Sequence, residues 1–214
     1  MELDFLYEDL AKLLQSMKVG TDRIRQIVLS LRNFSRLDES EFKAVDLHEG
    51  IDNTLLLLQH RFKANPGAPA IQLVKGYGQL PLVECYPSQL NQVFMNLVAN
   101  AIDVLEDSIK QRTQEQQPAQ PDTIWISTQV TAEKRIKITI ADNGLGMSET
   151  VRSCIFEPFF TTKPIGKGTG LGLSISYQIV TEKHKGIMWC DSTLGEGTKF
   201  VIEIPIRQPD TTST

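Results

Sequence analysis

The sequence predicts an α+β protein: a two-layer sandwich with helices on one face of a mixed, mostly antiparallel sheet, preceded by one long coiled-coil-like helix. Three observations carry this expectation. The first 37 residues keep one heptad-like spacing, two later runs alternate apolar and polar residues, and strand-like runs come in groups separated by segments of helical periodicity.

The opening helix is read from Leu3, Leu6, Leu10, Leu13, Met17, Gly20, Ile24, Ile27, Leu31 and Phe34, which stand alternately three and four apart. Such a helix would run roughly 50 Å. A globular domain touching one end cannot cover that stripe, so the expectation is a homodimer through this helix, residues 1–40. Leu37 to Glu41 ends it, and Asp46 with Glu49 three residues later resembles a capping box for a helix carrying Leu55 to Leu58. Short strands are expected at Ile71–Lys75 and Leu82–Cys85. Pro87 then suits the first turn of a strong helix through Leu90, Val93, Phe94, Leu97, Val98, Ala101, Ile102 and Leu105. Gln111 to Asp122 reads as a solvated loop. Strict alternation at Ile124, Ile126, Thr128, Val130 and at Ile136, Ile138, Ile140 predicts neighbouring antiparallel strands with one buried face. A glycine-rich stretch of about 25 residues follows Asp142, too long for an idle connection. Leu171–Glu182 is helical in pattern, and strands at Ile187–Cys190 and Lys199–Ile204 close the domain, 41–207, ahead of a polar tail, 208–214.

Composition narrows the function. With 26 acidic against 22 basic residues the formal charge is -4, which leaves no electrostatic footprint for nucleic acid. Cys85, Cys154 and Cys190 are far apart and form no C-x-x-C pair, so neither zinc nor a disulfide framework is indicated and a reducing, cytoplasmic setting is expected. No apolar run approaches the ~18 residues of a membrane span.

Four elements carry chemistry. Asn96 and Asn100 place two carboxamides at i and i+4 on one helical face. Asp142-Asn143-Gly144-Leu145-Gly146-Met147 follows a buried strand, where a carboxylate can accept from a nucleobase amino group and glycines admit a flat ligand. Gly166-Lys167-Gly168-Thr169-Gly170-Leu171-Gly172-Leu173 opens a helix and points free N–H groups at an anion, phosphate being the natural one. Gly195-Glu196-Gly197-Thr198 forms a hairpin. Taken singly, each has a plain alternative: surface asparagines, an Asp-Asn-Gly turn, a flexible linker, a tight turn.

In order and spacing, these elements together with Phe156-Glu157-Pro158-Phe159-Phe160-Thr161-Thr162-Lys163 resemble the N, G1, F, G2 and G3 boxes of bacterial sensor histidine kinases, over about three quarters of the chain. The resemblance implies the Bergerat-type ATP-binding sandwich shared with the Hsp90, gyrase and MutL ATPases. It implies ATP and Mg²⁺ as cofactors, with Asn100 holding the metal and Asn96 supporting it. Asp142 would accept from the adenine amino group beside Gly144 and Gly146, and Thr198 would reach adenine through water. Gly168, Thr169, Gly170, Leu171, Gly172 and Leu173 would form the phosphate loop, and Lys163 and Lys167 would meet the terminal phosphate. The catalytic set is then Asn96, Asn100 and Lys163. The partners implied are a response-regulator receiver domain and a phosphoacceptor helix or domain, the opening helix being similar to the second helix of the family's dimerisation hairpin. His48-Glu49 is a His-Glu pair, but without a following Pro or a second heptad helix it reads as a surface histidine, and the acceptor is expected outside this chain. Two rivals stand beside this reading. A clamp-type ATPase would carry a glutamate base where Asn96 stands; a nucleotide-binding regulatory module would never transfer phosphate.

Overall fold

The computed structural model describes residues 41–63, 69–115, 121–163 and 169–207. The opening helix of residues 1–40 and its seam, the tail, and Lys167 and Gly168 of the phosphate loop lie outside the described residues.

Twelve residues after Asp46 form the first described helix, α1 (Leu47–Leu58), whose N-cap is the Asp46 side chain accepting from His48 N–H. A much longer helix, α2 (Pro87–Glu115), lies against it. Leu90, Val93, Phe94, Leu97, Val98, Ala101, Ile102, Leu105 and Ile109 of α2 are buried, a stripe three and four apart that meets Ile51, Leu55 and Leu58 of α1 on one side and the sheet on the other. The expected loop at Gln111 is corrected here: α2 continues to Glu115, because a solvated polar sequence forms helix as readily as coil once an apolar face upstream is packed.

The main sheet has the order β2 (Gln72–Tyr77), β4 (Thr123–Val130), β5 (Arg135–Asp142), β7 (Gly197–Pro205), β6 (Ile187–Thr193). Only β2 runs parallel to its neighbour; the other pairs are antiparallel. A separate two-stranded ribbon joins β1 (Lys43–Val45) to β3 (Val83–Cys85). One face of the sheet carries Ile138, Ile202 and Met188 in one rung and Ile126, Ile140, Phe200 and Cys190 in the next, all buried beneath the helices. The following rung on that face is polar: Asp142 opposite Thr198, and Thr198 opposite Ser192. The helical layer leaves a cleft over this polar end of the sheet.

Between β5 and β6 the chain makes two short helices, α3 (Glu149–Cys154), capped by Ser148, and α4 (Gly172–Gln178), which widens into a π-turn over Ile179–Lys183. His184 ends that turn with no exposed surface; its Nδ1 lies 2.8 Å from the Ile179 carbonyl and its Nε2 accepts from Tyr86 N–H at 3.0 Å. Burial lowers its pKa, so it stays neutral and ties the end of α4 to the start of α2. Among the described residues no helix is long and apolar enough to cross a membrane.

Candidate nucleotide site

The cleft, about 390 Å³, lies between α2, the segment after β5, the Phe160–Lys163 strip and the start of α4. At its sheet end stands Asp142, 8% exposed, whose Oδ1 accepts from Gly144 N–H at 2.9 Å. Burial pushes this carboxyl up to about 6, against the pull of the backbone N–H groups of Gly144 and Thr198. Strand register places Thr198 directly across from Asp142, and the Ser192 hydroxyl, 3.0 Å from Thr198 Oγ1, also accepts from Met147 N–H at 2.9 Å. Met147, Val104, Leu173 and Phe200 supply apolar wall around this polar rung. A flat, amphipathic ring with an amino group fits such a lining.

Gly146 explains how the backbone comes so close. Its φ is +62, and a side chain there would run into the Thr193 carbonyl. Asn143, beside Asp142, serves another purpose: its Oδ1 accepts from Thr123 N–H and its Nδ2 donates to the Pro121 carbonyl, clipping the entry of β4 to the exit of β5.

The opposite end of the cleft carries charge. Asn96, Asn100 and Asp103 lie along one face of α2, four and three residues apart. Asn96 donates from Nδ2 to the Gly172 carbonyl at 3.0 Å and to Ser176 Oγ at 3.1 Å, fastening the start of α4 to α2. Asn100 Oδ1 accepts from Lys163 Nζ at 3.3 Å, and the same ammonium makes an ion pair with Asp103 Oδ2. Asp103 Oδ1 accepts from Arg61 Nη2 at 2.6 Å, and Arg61 also pairs with Glu106. Burial would raise the Asp103 carboxyl, but Lys163 and Arg61 hold it below the ordinary carboxylate range. Gly170, with φ of +66, pins the two sides of the strip. Its carbonyl accepts from Phe159 N–H at 2.9 Å, and a side chain on it would strike the Phe159 backbone. Phe159 itself sits at φ +68 and is 74% exposed, an uncommon backbone for a bulky residue held by this contact.

A family model described as histidine kinase-, DNA gyrase B-, and HSP90-like ATPase matches residues 85–208. The chain belongs to this ATPase family. Sporulation kinase E of Bacillus subtilis is 37% identical over 129 residues, 60% of this chain and 15% of that protein. The two-component sensor PprA of Pseudomonas aeruginosa is 32% identical over 208 residues, 94% of this chain and 20% of PprA. The chain therefore spans a fifth or less of the length of these relatives. Among solved structures, the nucleotide-free catalytic domain of histidine kinase ThkA superposes with a TM-score of 0.62 at 28% identity, covering 78% of this chain and 97% of ThkA's.

Within this ATPase-family domain the structure brings Asn96, Asn100, Asp142, Gly146, Lys163, Thr169, Gly170, Gly172, Leu173 and Thr198 to one cleft. Gly144 donates its N–H to Asp142, and Leu171 is the residue immediately before α4, its N–H 3.4 Å from Thr169 Oγ1. Sequence reasoning missed Asp103 and Arg61. Asp103 was one step away, since the Asn96–Asn100 spacing continues to it on the same stripe, whereas nothing local marks Arg61. His48 lies apart from the cleft lining, its ring stacked on Tyr77 at 4.3 Å and Nε2 2.8 Å from Thr128 Oγ1.

Proposed function

We propose that this chain is the ATP-binding catalytic portion of a cytoplasmic sensor histidine kinase, transferring the γ-phosphoryl group of ATP to a histidine for relay to a response-regulator aspartate. The observation that carries the reading is one cleft with two chemically distinct ends: a buried carboxylate among apolar walls, and a cation-and-amide cluster one helix face away. The relatives' names, kinase and two-component sensor, agree with it.

Asp142 accepts from the adenine amino group and selects adenine over a base that presents a carbonyl there. Thr198, oriented by Ser192, contributes a hydroxyl at the same end. Gly170, Leu171 and Gly172 lead into α4 and offer backbone N–H groups to phosphate. Gly168 and Lys167 extend that loop in the reading, as does Lys163 toward the terminal phosphate.

Magnesium fits the residues present. The Lys163 ammonium already stands as a cation on Asn100 Oδ1, an amide oxygen of the hard kind Mg²⁺ takes. Among the described residues no cluster of three or more His, Cys, Asp or Glu could hold a metal by itself, which suits an ion carried in on the phosphates. When bound, Mg²⁺ neutralises phosphate charge and Asn100 supplies its protein ligand.

The acceptor comes from elsewhere. Of the three histidines, His184 is fully buried, while His48 and His60 lie on and just after α1, away from the cleft lining. We infer that a separate acceptor helix supplies the imidazole and that residues 1–40 pair with a second copy as the dimer bundle. In the reaction the imidazole nitrogen bonds to the γ-phosphorus as the bond to the β,γ-bridging oxygen breaks, ADP leaves, and the imidazole N–H proton is released.

Incubation with ATP labelled at the γ-position tests this directly. This chain alone should stay unlabelled, and adding an acceptor hairpin in cis or in trans should give acid-labile, base-stable phosphate. Label on His48, or ATP hydrolysis with no transfer to a supplied hairpin, would overturn the assignment.

A further inference from the structure

Asp103 stands one turn beyond Asn100 on α2, and its two oxygens are divided between two cations. Oδ2 takes Lys163 from the strip after Phe160, and Oδ1 takes Arg61 from the turn after α1. Lys163 Nζ at the same time lies 3.3 Å from Asn100 Oδ1. We propose that Asp103, backed by Arg61, is a positioning residue that parks the Lys163 ammonium on Asn100 Oδ1 until a nucleotide arrives, so that lysine and a nucleotide-borne divalent cation take turns on that oxygen. This rests on the reading of Asn100 as the metal-side ligand.

Three features support an exchange over a permanent contact. An ammonium and a divalent cation sharing one amide oxygen would face each other at close range with like charge, so occupancy is exclusive. Departure of Lys163 does not strand Asp103, because Arg61 stays on its other oxygen at 2.6 Å and is itself shared with Glu106. The two partners also differ in freedom: Asp103 projects from the long packed helix, whereas Lys163 is a flexible side chain a third exposed on an irregular strip. Asp103, Glu106, Arg61 and Lys163 sum to zero charge, so this end of the cleft presents neither a bare carboxylate that would repel phosphate nor an unpaired lysine. Arrival of polyphosphate gives Lys163 a better counter-anion and frees Asn100 at the same step.

The test is a magnesium titration of the ADP complex, followed by calorimetry, in the parent, Lys163→Met, Asp103→Asn and the double variant. Lys163→Met removes the competitor, and the Mg²⁺ concentration at half-saturation should fall about fivefold. Asp103→Asn frees the lysine but also removes a negative charge. Its effect should therefore differ between the parent and Lys163→Met backgrounds by about threefold or more, with Asp103→Glu restoring the parent value. Lys163→Met leaves the Arg61–Asp103 pair in place and decides the matter even if Asp103→Asn folds poorly. An unchanged or increased magnesium requirement in Lys163→Met, or strictly additive substitutions, would overturn the proposal. Absence of ADP binding by the parent, or an Asn100→Ala variant with unaltered magnesium dependence, would instead overturn the site reading beneath it.

Discussion

A buried carboxylate that also recognises the nucleotide should couple binding to stability with opposite signs, and Asp142 is the residue on which to measure it. Its carboxyl titrates near 6 in the folded domain against 3.8 for the ordinary group, because ionisation there gives up water for a mostly apolar pocket. The folded state thus holds the proton more tightly. The resulting stability is fully present below pH 3.8 and is lost as pH rises through 6, an amount of about 3 kcal/mol for a shift of about two units. Asp142→Asn keeps an acceptor for Gly144 N–H and removes the buried charge. At pH 8 the empty variant should be more stable than the parent by about 1–3 kcal/mol, shrinking below about 1 kcal/mol at pH 4. Affinity should move the other way. A charge-assisted bond from the adenine amino group exceeds a neutral one by roughly 1–1.5 kcal/mol, so ADP should bind about tenfold more weakly to the variant at pH 8. Adenosine, which carries no phosphate to titrate, should bind the parent less tightly as pH falls below about 6, while the variant stays flat. Urea denaturation across pH and adenosine calorimetry read both effects. A variant no more stable than the parent at pH 8, together with a parent whose adenosine affinity is level from pH 7 to 5, would refute the reasoning.

Asn100→Ala should abolish the gain in ADP affinity on adding Mg²⁺ while leaving the metal-free affinity within about twofold, measured by calorimetry with and without chelator. His184→Ala would take the imidazole acceptor from Tyr86 N–H and open a cavity in the core, while the backbone N–H of residue 184 still serves the Ile179 carbonyl; the cost should be about 2–4 kcal/mol, read from chemical denaturation. Changing Leu10 and Ile27 together to Asp should convert a concentration-dependent dimer to a monomer in sedimentation, and a parent that is strictly monomeric at high micromolar concentration would dismiss the bundle assigned to residues 1–40.

What the sequence determined by itself is whatever repeats over a short range. Ile124 to Val130 and Ile136 to Ile140 could be placed because a strand with one wet face shows its period within a few residues, and Leu90 to Leu105 because a half-buried helix does the same. The order of the polar and glycine-rich boxes was legible for a related reason: each asks for particular backbone or side-chain chemistry at fixed local offsets, as Gly146 and Gly170 do with their positive φ. Only the tertiary structure decided the parallel pairing of β2 with β4, since pairing partners such as Gln72 and Thr123 are chosen across a long stretch of chain by the helices that cover them. It also decided the three-residue β1, whose pattern is too short to have a period, and the last turns of α2, whose polar residues carry no signal either way. The cation end of the cleft belongs to the same class. Asn100, Asp103, Lys163 and Arg61 come from three separate stretches, 42 residues or more apart in each of their three contacts, and an ion pair has no sequence period to betray it. Such groups meet only because the packed faces of α1, α2 and the sheet bring their carriers together.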